Sequence, residues 1–160
     1  MRIIVSDTSP VRALDHLGLL EMLPKLFDEI VIPPAVLKEV ESSRSTFRAV
    51  ELAKYPWLKL RVPSDATRVK QLLQELDNGE AEAIVLALEL RAEVLIDEHD
   101  GREVARRLGL ARVGALGILL RLKSRELIKD VLPLVDRLED ELKFFISAEL
   151  RAEIKQLASE

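Results

Sequence analysis

Arg2-Ile3-Ile4-Val5-Ser6-Asp7-Thr8-Ser9-Pro10 opens the chain with an apolar, β-branched run that stops at an acid. Side chains branched at Cβ favour extended backbone, and an apolar run without polar alternation marks a strand buried on both faces. Ser9 offers a hydroxyl to cap a helix, and Pro10 carries the fixed φ that suits a first helical position. A strand is therefore expected to hand over to a helix at Asp7. The same pattern returns at Glu93-Val94-Leu95-Ile96-Asp97, a second buried strand that ends in an acid.

Outward from these two stretches, strands and helices alternate. Residues 19–27 read as helical and 29–32 as a strand. Pro33-Pro34 then breaks the strand, with Pro34 at the start of a helix whose apolar face is Ala35, Val36, Leu37 and Val40. Glu39 lies within two turns of that start. Residues 44–54 read as further helix and 57–62 as an edge strand. Ser64 is expected to cap a helix reaching about residue 76. Asp77-Asn78-Gly79-Glu80 has the spacing of a capping box, and the nearly all-apolar stretch 81–90 after it should form a central helix. A helix over 101–108 stops at Gly109, a short strand covers 111–113, and a helix covers 116–123. Asp130 is expected to cap a helix with Pro133 in its first turn. Phe144-Phe145-Ile146 reads as extended, and Ser147 as the cap of a last amphipathic helix through Leu157.

This alternation predicts a Rossmann-like three-layer α/β/α fold with a mainly parallel sheet of about five strands. With 160 residues and no linker, repeat or low-complexity stretch, one domain is expected over 1–160. Its core would span about 2–125, followed by a helical extension over about 126–160.

Composition narrows the chemistry. There is no cysteine, which removes disulfides and thiolate metal sites, and only two histidines, which argues against a multi-histidine zinc site. A metal would be held by oxygen, which points to Mg²⁺ or Mn²⁺. Apolar runs are too short to span a bilayer, and the N-terminus lacks a signal-peptide core, so a cytoplasmic location is expected. A net charge of −4 disfavours non-specific binding to nucleic acid. One stretch departs from that balance: residues 102–125 carry seven Lys/Arg and the single acid Glu103. Within it, Arg102, Arg106 and Arg107 are the candidates for contact with a nucleic-acid backbone, although the stretch could equally be a solvated helix face.

In open α/β sheets ligands bind beyond the carboxyl ends of the strands. Asp7 and Asp97 end strands, and Glu39 and Glu80 lie early on helices, so all four can face that end. Crowded carboxylates repel one another unless a cation offsets them. A divalent cation lowers the pKa of water, neutralises charge building on phosphoryl oxygens and orients an in-line attack. Hydrolysis of a phosphodiester needs little more, and no nucleophilic side chain presents itself: Thr8 and Ser9 lie near Asp7 without a histidine to activate them. Each acid also has a plainer role open to it. Asp7 and Asp97 could be turn formers, Glu39 a solvated helix residue, and Glu80 a capping-box partner. Glu98 and Asp100 could replace or assist Asp97. An aspartyl-phosphate enzyme or receiver domain is disfavoured, because Ser9 stands where such a site wants a second aspartate.

Four segments together resemble the PIN-domain family, most closely a prokaryotic subfamily related to VapC-like toxins. They are residues 5–10 around Asp7, 32–40 around Glu39, 79–87 beginning Gly79-Glu80-Ala81, and Leu95-Ile96-Asp97-Glu98 leading to Gly114-Ala115-Leu116-Gly117. They occur in the family's order and cover about 2–125, and Phe144-Phe145-Ile146-Ser147 resembles the subfamily's ending. The resemblance implies a metal-dependent endoribonuclease of single-stranded RNA, using Mg²⁺ or Mn²⁺. Asp7, Glu39, Glu80 and Asp97 would be the catalytic and metal-binding acids, and Ser9 a supporting residue. It further implies a homodimer and an antitoxin protein as partner. Two positions depart from the pattern: the subfamily often has two aspartates where this chain has Asp97-Glu98, and often a hydroxyl residue where it has Ala115. These departures motivate an alternative, a catalytically weak PIN fold that binds RNA or protein.

Overall fold

The computed structural model describes residues 1–43 and 48–160. Five strands form one sheet: β1 (Ile3–Ser6), β2 (Glu29–Ile32), β3 (Leu58–Leu60), β4 (Glu93–Leu95) and β5 (Arg112–Val113), in the order β3-β2-β1-β4-β5. Every neighbouring pair is parallel, with Val5 of β1 opposite Val31 on one side and Val94 on the other. The two-residue period of a strand sorts the side chains. Ile4, Ile30, Ile32, Leu95 and Val113 enter one core, while Val5, Val31, Val94 and Ile96 enter a second. Both faces are apolar, which is why the strands show no polar alternation.

Helices cover both cores. α1 (Thr8–His16), α6 (Ala115–Ser124), α7 (Leu132–Leu142) and α8 (Ala148–Leu157) bury Leu14, Leu119, Leu138 and Ile154 against the first face. α3 (Ala66–Leu72), α4 (Asn78–Leu90) and α5 (His99–Arg107) bury Leu72, Ile84 and Val104 against the second. The short α2 (Pro34–Val40) sends Val36 and Val40 into the first core and packs along α4 and α1. This is a three-layer α/β/α fold with an all-parallel sheet. The chain leaves β1 toward β2 and β3 and returns on the other side as β4 and β5. The crevice where strand order reverses therefore lies between the carboxyl ends of β1 and β4. Among the described residues no helix is long and apolar enough to cross a membrane.

Several ends differ from the expectations. Asp7 rather than Ser9 takes the N-cap position of α1, and Pro10 falls inside its first turn. The 19–27 segment is a 3-10 helix over Leu20–Lys25 with Pro24 inside it. Of the helix expected over 44–54, residues 44–47 lie outside the described residues, and only Leu52–Lys54 forms a 3-10 turn. Asp65, not Ser64, caps α3 by accepting from the Arg68 N–H at 3.0 Å, while the Ser64 and Asp65 N–H groups go to Glu89. The start of α7 is held by Glu160, whose carboxylate accepts from the Val131 and Leu132 N–H groups at 2.7 and 2.9 Å, rather than by Asp130. The capping box of α4 forms in both directions: Glu80 N–H donates to Asp77 Oδ1 at 2.8 Å and Asp77 N–H to Glu80 Oε1 at 3.3 Å. Ser147 caps α8 through the Leu150 N–H at 3.1 Å.

Candidate metal centre

Asp7 stands in the crevice. Its N–H extends the ladder past β1 by donating to the Leu95 carbonyl at 2.9 Å, which fixes the residue between β1 and β4. Its side chain makes no N-cap bond, and of the α1 backbone only the Thr8 N–H acts on its carboxyl group. Asp7 is only 4% exposed. Burial pushes its pKa up to about 8, and Asp77, Glu80 and Glu39 push the same way, while the Thr8 backbone N–H pulls against them.

Glu39 arrives from the last turn of α2, a helix fixed at both ends by other elements. Glu82 Oε1 on α4 accepts from the Ala35 N–H at 3.1 Å. Buried Arg12 on α1 donates to the Glu39 carbonyl, to that of Ser42 at 2.9 Å and to that of Arg48 at 3.1 Å. A guanidinium at the carbonyl end satisfies acceptors that have no partner within the helix. Gly79, in the first turn of α4, then brings Asp7 and Glu39 together. A Cβ there would lie 3.1 Å from Asp7 Oδ1 and 3.3 Å from Glu39 Oε1, so the bare Cα leaves both carboxylates the space of one methyl group. Asp7, Thr8, Ser9, Arg12, Glu39, Asp77 and Glu98 border a cavity of about 190 Å³.

Glu80 faces an adjoining cavity of about 370 Å³, with Asp77, Glu98, His99 and Asp100. One of its oxygens serves the capping box, and the other, Oε2, is buried without a hydrogen-bond partner. Gly101 makes room for it, since a Cβ there would lie 2.8 Å from that oxygen. Burial raises the Glu80 pKa to about 7, with Asp77 and Glu98 adding repulsion. Asp77 and Glu98 thus belong to both cavities, and Asp100 to the second alone.

Asp97 turns elsewhere. Its Oδ1 accepts from the Ala115 N–H at 2.8 Å, at the start of α6. A Cβ on Gly114 would lie 2.7 Å from that oxygen and 3.2 Å from Arg102 Nη1, which itself donates to the Ile96 carbonyl at 3.1 Å. Asp97 Oδ2 is buried without a partner. The residue borders a third cavity of about 460 Å³, between α6 and α8, together with Arg102 and Arg112. Burial raises its pKa to about 6, opposed by the Ala115 N–H and the Arg102 charge.

The structure brings Asp7 and Glu39 onto one cavity and Glu80 onto its neighbour, while Asp97, at the end of the adjacent strand, borders a third. Sequence reading missed Asp77 as a member of this group, because its role as a helix cap accounted for it. It also missed Gly79, Gly101 and Gly114, which make room for the carboxylates. Of the three arginines proposed for a nucleic-acid backbone, Arg106 pairs with Glu103 and Arg107 with Glu75, while Arg102 stands beside Asp97. Further along the basic stretch, Arg121 pairs with Glu93 and Lys123 with Glu160.

Among the described residues no three acids stand in position to hold one ion together. The donor set still fits a hard divalent cation. It consists of oxygens only, one of them, Glu80 Oε2, a buried carboxylate oxygen with no partner, and it includes Asp7, whose pKa burial and then repulsion push up to about 8.

The DUF3368 family model, described as a PIN domain, matches residues 3–160. The chain belongs to the PIN-domain family. PIN domains are generally nucleases and typically use divalent metal ions. A PilT N-terminus domain protein from the hyperthermophilic archaeon Sulfolobus solfataricus P2 shares this PIN fold. It superposes with a TM-score of 0.52 at 20% identity, over 72% of this chain and 87% of that one. At that identity the likeness speaks for the fold alone. No curated protein matches the chain.

Proposed function

We propose that this PIN domain is a Mg²⁺- or Mn²⁺-dependent endoribonuclease that hydrolyses single-stranded RNA. The observation that carries the reading is the meeting of Asp7 and Glu39 across Gly79 in the crevice between β1 and β4, with Glu80 in the adjoining cavity. These residues come from separate parts of the chain, and their burial raises the pKa of both Asp7 and Glu80. A fold keeps such repulsion where a cation relieves it. Asp7, Glu39 and Glu80 would hold the ion, which supplies a water nucleophile at neutral pH and offsets charge on the phosphoryl oxygens. The protein's own part is to fix the carboxylates on rigid strand and helix ends and to limit water in the crevice. Ser9 borders the same cavity and offers a hydroxyl to a substrate phosphate.

The test is cleavage of an unstructured, end-labelled RNA by purified protein. Cutting is expected with Mn²⁺ or Mg²⁺, none with EDTA, and none from Asp7→Asn. Equal cleavage by wild type and Asp7→Asn would assign the activity to something else. The likeness to toxin-type relatives extends the proposal to a homodimer with an antitoxin partner, to be checked by light scattering and by co-purification with the product of the neighbouring reading frame.

A second reading, a PIN fold that binds RNA or protein without cutting, draws support from Ala115. That residue gives Asp97 only a backbone N–H where the subfamily often has a hydroxyl. Failure to bind Mn²⁺ at millimolar concentration would favour it.

A further inference from the structure

We propose that the cavity between α6 and α8 holds one nucleotide of a single-stranded RNA, its base against Leu116, Leu120 and Leu157 and its phosphates on Arg102 and Arg112. The choice of RNA rests on the nuclease reading above, and the cavity gives that substrate a path away from the acids. The cavity has about 460 Å³, within the roughly 300–1,000 Å³ that small ligands occupy. It lies beyond the carboxyl ends of β4 and β5, the side of an open parallel sheet on which ligands bind. It also adjoins the candidate metal centre: Asp97 borders it, and Glu98, the next residue, borders both acid cavities. A strand that crosses those acids needs cationic side chains close by for its flanking phosphates.

The basic stretch supplies them at this one place. Arg106, Arg107, Arg121 and Lys123 are each paired with a carboxylate. Arg102 and Arg112 instead donate to backbone carbonyls, of Ile96 at 3.1 Å and of Leu110 at 3.5 Å, and both border the cavity. Arg102 also stands near Asp97, one of whose oxygens is taken by the Ala115 N–H. The remaining walls suit a base. Leu116 and Leu120 come from one face of α6, and Leu150 and Leu157 from α8, where they are 37% and 64% exposed. Single strands are held without sequence preference by guanidinium or ammonium groups along the backbone and flat apolar surfaces under the bases. Aliphatic side chains take the second part here. Glu153, exposed at the rim of the cavity, works against any anion that enters.

The experiment is fluorescence anisotropy of a short labelled oligouridylate, and of the same backbone without bases, with the full chain in EDTA so that neither ion nor cleavage contributes. The substituted positions are exposed, and melting curves check that each variant folds. Arg112→Gln should weaken both ligands about three- to tenfold and flatten the slope of log affinity against log salt by about 0.7. Leu157→Ser should weaken the oligouridylate about threefold and leave the abasic chain unchanged. Glu153→Gln should tighten both about twofold. Arg106→Gln, which removes the same charge from a paired residue, should change neither by more than about twofold. Equal losses in Arg106→Gln and Arg112→Gln, a loss in Leu157→Ser that ignores the bases, or no RNA binding by wild type would overturn the inference. So would an acidic, leucine-containing peptide that binds more tightly than RNA and is lost in the same variants, which would give the cavity to a protein. None of these outcomes touches metal-dependent cleavage, which Asp7→Asn decides. RNA binding with the expected losses, in a protein that cuts no RNA with Mn²⁺, would sink the nuclease reading alone.

Discussion

A carboxylate with Glu39, Asp77 and Glu80 as neighbours and 4% exposure holds its proton at neutral pH, and Asp7 does so with a pKa of about 8. A group whose folded pKa lies above its unfolded value stabilises the fold below the unfolded pKa and loses that contribution as pH rises through the folded one. Asp97, Glu80 and Asp7, at about 6, 7 and 8, therefore make the metal-free protein progressively less stable from about pH 4 to pH 8. Thermal melts in EDTA should show this decline, and Asp7→Asn should flatten its upper part and melt higher than wild type at pH 8. Mn²⁺ should reverse the order at that pH, because binding stabilises only the protein that can take the ion. Equal pH dependence in wild type and Asp7→Asn would mean Asp7 is not the group that titrates. At this scale the sequence was informative about Asp7, since an acid closing a buried strand has few other places to go. It was silent on the direction of Asp97. Both aspartates end strands in the same pattern, and only the approach of α6 and Arg102 distinguishes them.

Elements were legible where the partners that define them are close in sequence. The capping box of α4 joins Asp77 to Glu80, and the cap of α8 joins Ser147 to Leu150. The start of α7 could not be read the same way, because Glu160 reaches it from the other end of the C-terminal segment. The 3-10 helix over Leu20–Lys25 has helical spacing, but Pro24 gives no N–H to a longer ladder. Gly79 was hidden for a related reason: a glycine's value as open space depends on what approaches it, here Asp7 from β1 and Glu39 from α2. Gly79→Ala tests that role. Alanine is the better helix former, by up to about 1 kcal/mol, and the 3.1 and 3.3 Å contacts of its methyl group oppose that gain, so the metal-free melting temperature should stay close to that of wild type. The added methyl group would press on both carboxylates, and Mn²⁺ affinity measured by calorimetry should fall about tenfold. Unchanged affinity would show that the space at Gly79 has no bearing on the ion.

At the scale of the whole molecule, the apolar strand runs and their alternation with helices were enough to predict a parallel sheet covered on both faces, because burial on both sides leaves no other pattern. Strand order was not predicted from the sequence, yet it creates the crevice by placing the ends of β1 and β4 side by side. The basic stretch changes meaning at this scale too. Its Arg107, Arg121 and Lys123 are paired with acids from distant segments, so a run that looks cationic in sequence is largely neutralised in the fold. The proposed function therefore depends on one long-range event, the gathering of acids from β1, α2 and α4 around an ion. Crystals soaked in Mn²⁺ and measured for anomalous scattering test it most directly. A manganese peak is expected in the crevice between Asp7 and Glu39, absent in Asp7→Asn. Crystals of the wild type with no peak there, or with manganese only at sites away from these carboxylates, would contradict it.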